Sequence, residues 1–430
     1  MTLHYVPAGV EAYTQTPRQL HISNKPNAEE TSEHGKRLKI WRTKYKTVVF
    51  SGSSANGCTY VPDADYDVVV PLGSPTFIKN CGLTKILANP IHGPFCKIPF
   101  ASLGVESIVD SGGFQLLRGL VDFVEPDDLV KLYNKDADIG MPLDLPVPHN
   151  LEPMFFDSVS KMIRANDDYM IKKLKGVDLA LISHGSTLEL RKSRLDVLDR
   201  KAAVVAVAGL SAPVPAGIDP VVNALENLMY VVHRYHKSAR YFHVLGVTSK
   251  FWLFIYALLD SSGYVKSIGA DSVSHRLRGF VGQYNQYDFN CMQLGKKLSY
   301  HMSAPCNCPV CFAVDDLRII SYAHILEAHN LWVRAQWTKM LSDLATQYVK
   351  GVVSLADVYK VLDLQASLNE FTKLVSYVES IISTNKFRPL RTKATRTSLF
   401  QARVFKAHPK QEIYGKVLDR YEVFHGKKFR

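Results

Sequence analysis

Three carboxylates and a knot of thiols are the residues of this chain best suited to chemistry. Asp110 ends the run Ser107-Ile108-Val109 and is followed by Ser111-Gly112-Gly113-Phe114-Gln115. Paired glycines end a strand and let another molecule approach bare backbone. Asp144 closes Gly140-Met141-Pro142-Leu143-Asp144, and Asp271 lies in Gly269-Ala270-Asp271-Ser272-Val273-Ser274. Each Asp alone fits an ordinary helix cap after a strand. Three of them, each at the carboxyl end of a separate parallel strand, would meet at one mouth. Convergent carboxylates suit glycosidic chemistry, in which one attacks the anomeric carbon and another moves protons to and from the departing group. Farther on, Pro305-Cys306-Asn307-Cys308-Pro309-Val310-Cys311 gives Cys-x-Cys-x-x-Cys. That spacing lets thiolates wrap one Zn²⁺, with a fourth ligand from elsewhere. His324 and His329 follow on an expected helix. An iron–sulfur cluster is disfavoured because no fourth Cys is near.

The elements that must position these residues alternate regularly from about residue 104. Strands are expected over Ser107–Asp110, Ile139–Asp144, Val177–Ser183, Ala202–Leu210, Tyr241–Val247 and Val265–Asp271. Between them, helices are expected over Pro126–Asn134, Asp157–Leu174, Leu188–Leu198 and Phe251–Leu259, the third as a charged surface helix. Another helix opens with Asp219 as N-cap and Pro220 at its first position. Thr47–Phe50 and Tyr66–Val70 read as strands, residues 1 to about 45 give no clear pattern, and Leu331–Tyr348 and Leu355–Ile382 read as helices. Alternation of this kind implies parallel pairing with right-handed crossovers. With no Gly-rich dinucleotide or Walker motif, the expectation is an α/β protein built on a (β/α)₈ TIM barrel, with an appended structural zinc subdomain and a helical, basic C-terminal region. The expected divisions are 1–100 (strands leading into the barrel), 101–300 (catalytic barrel), 301–335 (zinc subdomain) and 336–430 (C-terminal helices and basic tail).

The chain has 430 residues, 47% of them hydrophobic, which is enough for a large core. Its formal net charge of +12 is uneven. Residues 386–430 hold 13 basic and 3 acidic side chains, and a second cluster runs Lys36, Arg37, Lys39, Arg42, Lys44, Lys46. Basic surfaces favour polyanions, above all nucleic acid, although for Lys386, Arg388, Arg391, Lys393 and Arg396 a merely solvated tail fits nearly as well as a phosphate-contacting arm. Seven cysteines, an odd number, argue against a secreted disulfide framework, with Cys58, Cys81, Cys96 and Cys291 scattered. No apolar run reaches spanning length, and Met1-Thr2-Leu3-His4-Tyr5 has no signal pattern, so a soluble cytoplasmic protein without membrane contact is expected.

The string Asp110-Ser111-Gly112-Gly113-Phe114-Gln115 resembles the signature of the queuine/archaeosine tRNA-guanine transglycosylase superfamily. The resemblance covers roughly residues 100–335. It implies Asp271 as nucleophile and Asp110 as general acid/base, with Ser111 and Gly112 beside the bound base. Asp144 matches the carboxylate that reads the purine ring N–H and exocyclic amine, both of them donors. A register that puts Ser274 at the nucleophile position is the other reading. Asp271 fits better, because Asp-Ser-x-Ser matches in spacing and a serine would need a base. Phe114 and Leu245 fall where the family sandwiches the base. Gly209-Leu210 resembles its Gly-Gly-Leu, with Ala208 replacing one glycine, and Leu245-Gly246-Val247 resembles its Met-Gly-Val. Ala328-His329-Asn330-Leu331 matches the context of the fourth zinc ligand, leaving His324 as the substitute. Two departures stand out. His184, in Ser183-His184-Gly185, replaces a base-contacting glutamine, and His275-Arg276-Leu277-Arg278-Gly279 stands where bacterial members carry Pro-Thr-Arg for reading tRNA. The chain therefore most resembles the phage and bacterial branch that exchanges guanine in DNA for a 7-deazaguanine base (preQ0-like), shielding the DNA from restriction. The implied partners are double-stranded DNA, a free 7-deazaguanine and a second copy of the chain. Exchange on tRNA and a non-catalytic nucleic-acid-binding barrel are the alternatives.

Overall fold

The computed structural model describes residues 3–7, 48–52, 68–72, 75–89, 97–117, 119, 121, 123–146, 152–272, 274–294, 303–314, 317–320, 323–390 and 411–430. Statements below concern these residues. The N-terminal basic cluster and Arg391, Lys393 and Arg396 lie outside them.

The fold is mixed α/β with parallel sheets. Its strands are β1 (Leu3–Pro7), β2 (Val48–Gly52), β3 (Val68–Leu72), β4 (Lys85–Ala88), β5 (Glu106–Val109), β6 (Ile139–Gly140), β7 (Asp178–Leu179), β8 (Leu181–Ser183), β9 (Val204–Val207), β10 (Tyr241–Val244), β11 (Ile268–Ser272), β12 (Gln283–Asn285) and β13 (Cys291–Gln293). One parallel sheet runs β1-β11-β10-β9-β8 and another β4-β5-β6-β7. β2 and β3 form a parallel pair, β12 and β13 an antiparallel hairpin. The run expected as one strand over Val177–Ser183 divides at Ala180, and the strand expected over Ile139–Asp144 stops at Gly140. β1 and β4 are strands that the sequence pattern did not announce.

Side-chain alternation decides what faces where. In β9, Val204 and Ala206 join one buried cluster, while Val205 and Val207 join another with the helices. The first cluster takes Leu87, Ile108 and Ile139 from one sheet and Ile182, Val204, Ala206 and Tyr241 from the other, so the two sheets share an inner core. Phe242, Val244, Ile268 and Ala270 face outward into the helical layer. By the same period of two, His243 and Asp271 face inward.

Helices cover the outer faces. Asp219 caps Pro220–Tyr235 by accepting from the Val221 and Val222 N–H groups at 2.9 and 3.0 Å, as its sequence implies. Phe251 to Asp260 of the helix Lys250–Ser261 are all buried, because the helix is enclosed by β11 and the helices Ala323–Val349 and Leu368–Thr384. The helix expected over Leu355–Ile382 is two, Leu355–Leu362 and Leu368–Thr384. Asp363 turns left-handed (φ 44°), and Ser367 with Glu370 forms a new capping box. The last described stretch packs against the body of the fold. Gln411–His425 is a helix lying on Glu152–Lys173, with Tyr414, Val417, Leu418 and Tyr421 buried. Tyr414 and Tyr421 donate to the carbonyls of Pro146 and Val124 at 2.6 and 2.5 Å. Lys386 and Arg388 are exposed. No helix is long and apolar enough to cross a membrane among the described residues.

Candidate active site and metal centre

Asp110 follows the last residue of β5, and its N–H donates to the Ala88 carbonyl at the end of β4. Its Oδ1 accepts from the Ser111 N–H at 2.9 Å, and its Oδ2 from the Asn89 side-chain amide at 2.9 Å. Ser111 is buried and donates to the Pro142 carbonyl at 3.1 Å, which ties the glycine turn to the segment after β6. Gly112 has φ 80°, a conformation that glycine takes without strain. A Cβ on Gly113 would lie 2.0 Å from the Asp144 carbonyl oxygen, so this second glycine permits the close approach of the two segments. Phe114 falls on the helix Gly113–Leu117, and its side chain lies outside the described residues.

Asp271 is buried near the end of β11. Its Oδ1 accepts from the Gly246 N–H at 2.9 Å and lies 3.2 Å from His243 Nε2. Gly246 (φ 74°) thus serves the carboxylate through its backbone. Leu245 packs on the inner core. Asp144 Oδ1 is paired with Arg194 at 3.4 Å. Burial pushes the Asp144 carboxyl up, against the opposing pull of Arg194 and Arg191.

Asp110 feels the charges of the other two carboxylates. Asp110 is pushed up to about 6, first by burial and then by the negative charges of Asp271 and Asp144, against the pull of the Ser111 and Gly112 N–H groups. Raising a carboxyl in this way costs folded-state stability once the unfolded carboxyl is ionised. The cost is absent below the ordinary value of 3.8, grows as pH climbs through the window up to about 6, and is complete above it. Asp110→Asn is therefore expected to stabilise the protein at pH 7 by on the order of 2 kcal/mol, with the gain shrinking toward pH 4 in urea titrations.

His184 directly follows the last residue of β8 and is buried, and a Cβ on Gly209 (φ 72°) would lie 2.8 Å from its Nε2. Burial, helped by Arg194 and Arg191, holds its pKa well below the usual imidazole range, so it is neutral. Its Nδ1 is buried without a hydrogen-bond partner among the described residues. Leu210 is buried in the outer core.

Arg191, Arg194, Asn89 and His243 are site residues that the sequence reading does not single out. The first two lie on the helix Leu188–Leu198, expected at the surface, yet both are buried. Arg191 gives Nε to Asn227, Nη1 to the Ser183 carbonyl and hydroxyl, and Nη2 to the Gly185 and Ala208 carbonyls, at 2.6–3.0 Å. This one guanidinium fixes the turns after β8 and β9. Arg191→Met, which leaves those buried acceptors unmet, is expected to cost on the order of 3–5 kcal/mol in a urea titration.

Cys306, Cys308, Cys311 and His329 place their ligand atoms within 4.8 Å of one another, close enough to bind a metal ion. The three Sγ atoms lie 3.7, 3.3 and 3.2 Å from His329 Nδ1. His329 Nε2 meets the Asn285 carbonyl at 2.8 Å, which aims Nδ1 at the thiols, and the Tyr284 ring stacks on the imidazole at 3.8 Å. Backbone N–H groups of Cys308 and Cys311 point to the sulfurs of Cys306 and Cys308 at 3.5 and 3.3 Å, an arrangement that suits thiolates. The His324 side chain lies outside the described residues.

No protein-family model and no curated protein matches this chain.

Proposed function

We propose that the chain is a guanine transglycosylase that exchanges guanine in double-stranded DNA for a 7-deazaguanine base through a covalent Asp271–sugar adduct. The observation that carries this reading is that Asp110, just after β5, feels the charges of Asp144, from the segment after β6, and of Asp271 on β11. The scaffold proposed for it is a closed (β/α)₈ barrel. Supporting that, β1 pairs with β11, lies alongside β4, and is tied to it by His4 Nδ1 and Thr84 Oγ1 at 2.8 Å. At the other seam β7 passes into β8 across Ala180 alone, and both sheets contribute to the inner core.

In the proposed reaction a guanine nucleotide leaves the duplex and enters the mouth. Asp271 attacks C1′. The C1′–N9 bond breaks, and guanine departs with a proton from Asp110. The incoming 7-deazaguanine lies against Asp144, gives its N9 proton to Asp110, and its N9 displaces Asp271 from C1′. Two inversions give net retention. A carboxyl near 6 is suited to give a proton in the first half and take one in the second.

The metal proposed for the Cys/His cluster is Zn²⁺ in a structural role. Tetrahedral zinc with Zn–S of about 2.3 Å and Zn–N of about 2.0 Å sets S and N about 3.5 Å apart. The observed 3.2–3.7 Å brackets that figure. Four protein ligands leave no position for substrate.

The test is incubation with labelled guanine and either duplex DNA or tRNA. Uptake of label into the duplex is expected. Uptake into tRNA alone moves the reaction to RNA, and uptake into neither removes the proposal.

A further inference from the structure

We propose that His243 is a positioning residue for Asp271. Backed by Tyr241, it holds Oδ1 and leaves Oδ2 as the oxygen that attacks the sugar. The inference rests on the transglycosylase reading for what Oδ2 attacks, but the hydrogen-bond chain stands on geometry alone.

His243 is wholly buried, on the inward side of β10. Its Nδ1 lies 2.9 Å from the Tyr241 hydroxyl, two residues back on the same face, and its Nε2 lies 3.2 Å from Asp271 Oδ1. The Gly246 N–H meets that same oxygen at 2.9 Å. Both contacts therefore fall on one carboxylate oxygen. The direction of the chain follows from donor chemistry. Burial, reinforced by the charge of Asp271, holds the Tyr241 hydroxyl pKa well above its usual value, so it keeps its proton. A phenol can donate or accept, but a carboxylate acting as nucleophile only accepts, so Nε2 carries a proton toward Oδ1, and the phenol donates its own proton to Nδ1. With Oδ1 fixed by two donors, the Oδ2 lone pair forms the bond to C1′. In the ester Oδ1 becomes the carbonyl oxygen. When the C1′–Oδ2 bond breaks, the returning charge meets donors already in place, as electrostatic preorganisation requires.

Gly269 belongs to the same device. A Cβ there would lie 2.5 Å from the Tyr241 hydroxyl and 2.9 Å from the His4 carbonyl oxygen. The glycine two residues before Asp271 thus makes room for the hydroxyl that sets the imidazole proton.

Three variants of the full chain, H243L, H243Q and Y241F, test this beside the wild type. H243L removes the donor and is expected to lower kcat by about 10²–10³-fold with KM for DNA unchanged. H243Q keeps an N–H at the same reach and is expected to recover most of that loss. Heteronuclear NMR of the wild-type imidazole is expected to find the proton on Nε2, and Y241F to mix the tautomers. A proton on Nδ1 in the wild type, or equal kcat in H243L and wild type, overturns the assignment. If the wild type exchanges no base, the NMR result still decides the hydrogen-bond chain, and only the transglycosylase reading falls.

Discussion

Asp271→Asn is expected to abolish base exchange while leaving affinity for duplex DNA unchanged. The amide keeps the shape of the carboxylate but has no charged oxygen to bond with C1′. Losses on removing a covalent nucleophile run on the order of 10⁴–10⁶ in turnover. Release of labelled guanine from DNA measures it, and gel shift on the same duplex separates chemistry from binding. A second readout follows from electrostatics. Asp271 contributes to the rise of Asp110 to about 6, so the substitution should bring the Asp110 pKa down, visible in its carboxyl chemical shift. Exchange at the wild-type rate would remove Asp271 from the nucleophile's place.

Loss of the zinc proposed for the Cys/His cluster is expected to have the largest effect on stability. Cys308, Cys311 and His329 are buried beside Cys81, Tyr284, Leu326 and Leu331, so an empty site would leave three sulfurs and His329 Nδ1 crowded together in an apolar setting without the ion that holds them. The ligands join residues 306–311 to the helix Ala323–Val349, and the Asn285 carbonyl brings in the β12–β13 hairpin. Structural zinc sites bind with an apparent 10–16 kcal/mol, about, at neutral pH, and that free energy is folding free energy. Cys308→Ser is expected to reduce bound zinc from one per chain to near none by atomic emission. The thermal midpoint should fall by roughly 10 °C or more. Unchanged metal content and midpoint would remove the centre.

What could be read in the sequence was mostly local. Asp219-Pro220 announced a cap because the capping bond spans only three residues. The Cys-x-Cys-x-x-Cys spacing and His329 announced the cluster because the three thiols come from one stretch of six residues. β4 escaped notice because all four of its residues are buried, so no polar alternation marks it. Asn89, which binds Asp110, was lost with it. Arg191 and Arg194 sit among charged neighbours, and composition sent the whole helix to the surface, whereas tertiary hydrogen bonds turned one side inward. His243 had a signal that went unused, since it shares the parity of Tyr241 in a strand whose other parity is apolar. The helix Gln411–His425 carried its stripe at Tyr414, Val417, Leu418 and Tyr421, but the basic charge of the region outweighed it.

The register of β1 sets an order of events for the nascent polypeptide. Leu3 must find Ile268, so β1 stays unmatched on this side until the chain is made as far as β11. Until β11 leaves the ribosome, that early strand has no docking partner on this side, and its backbone groups are open to improper pairing. Closing so wide a circuit is slow, although the entropic toll grows only with the logarithm of its length. Translation speed and chaperone supply should therefore affect the yield of folded protein.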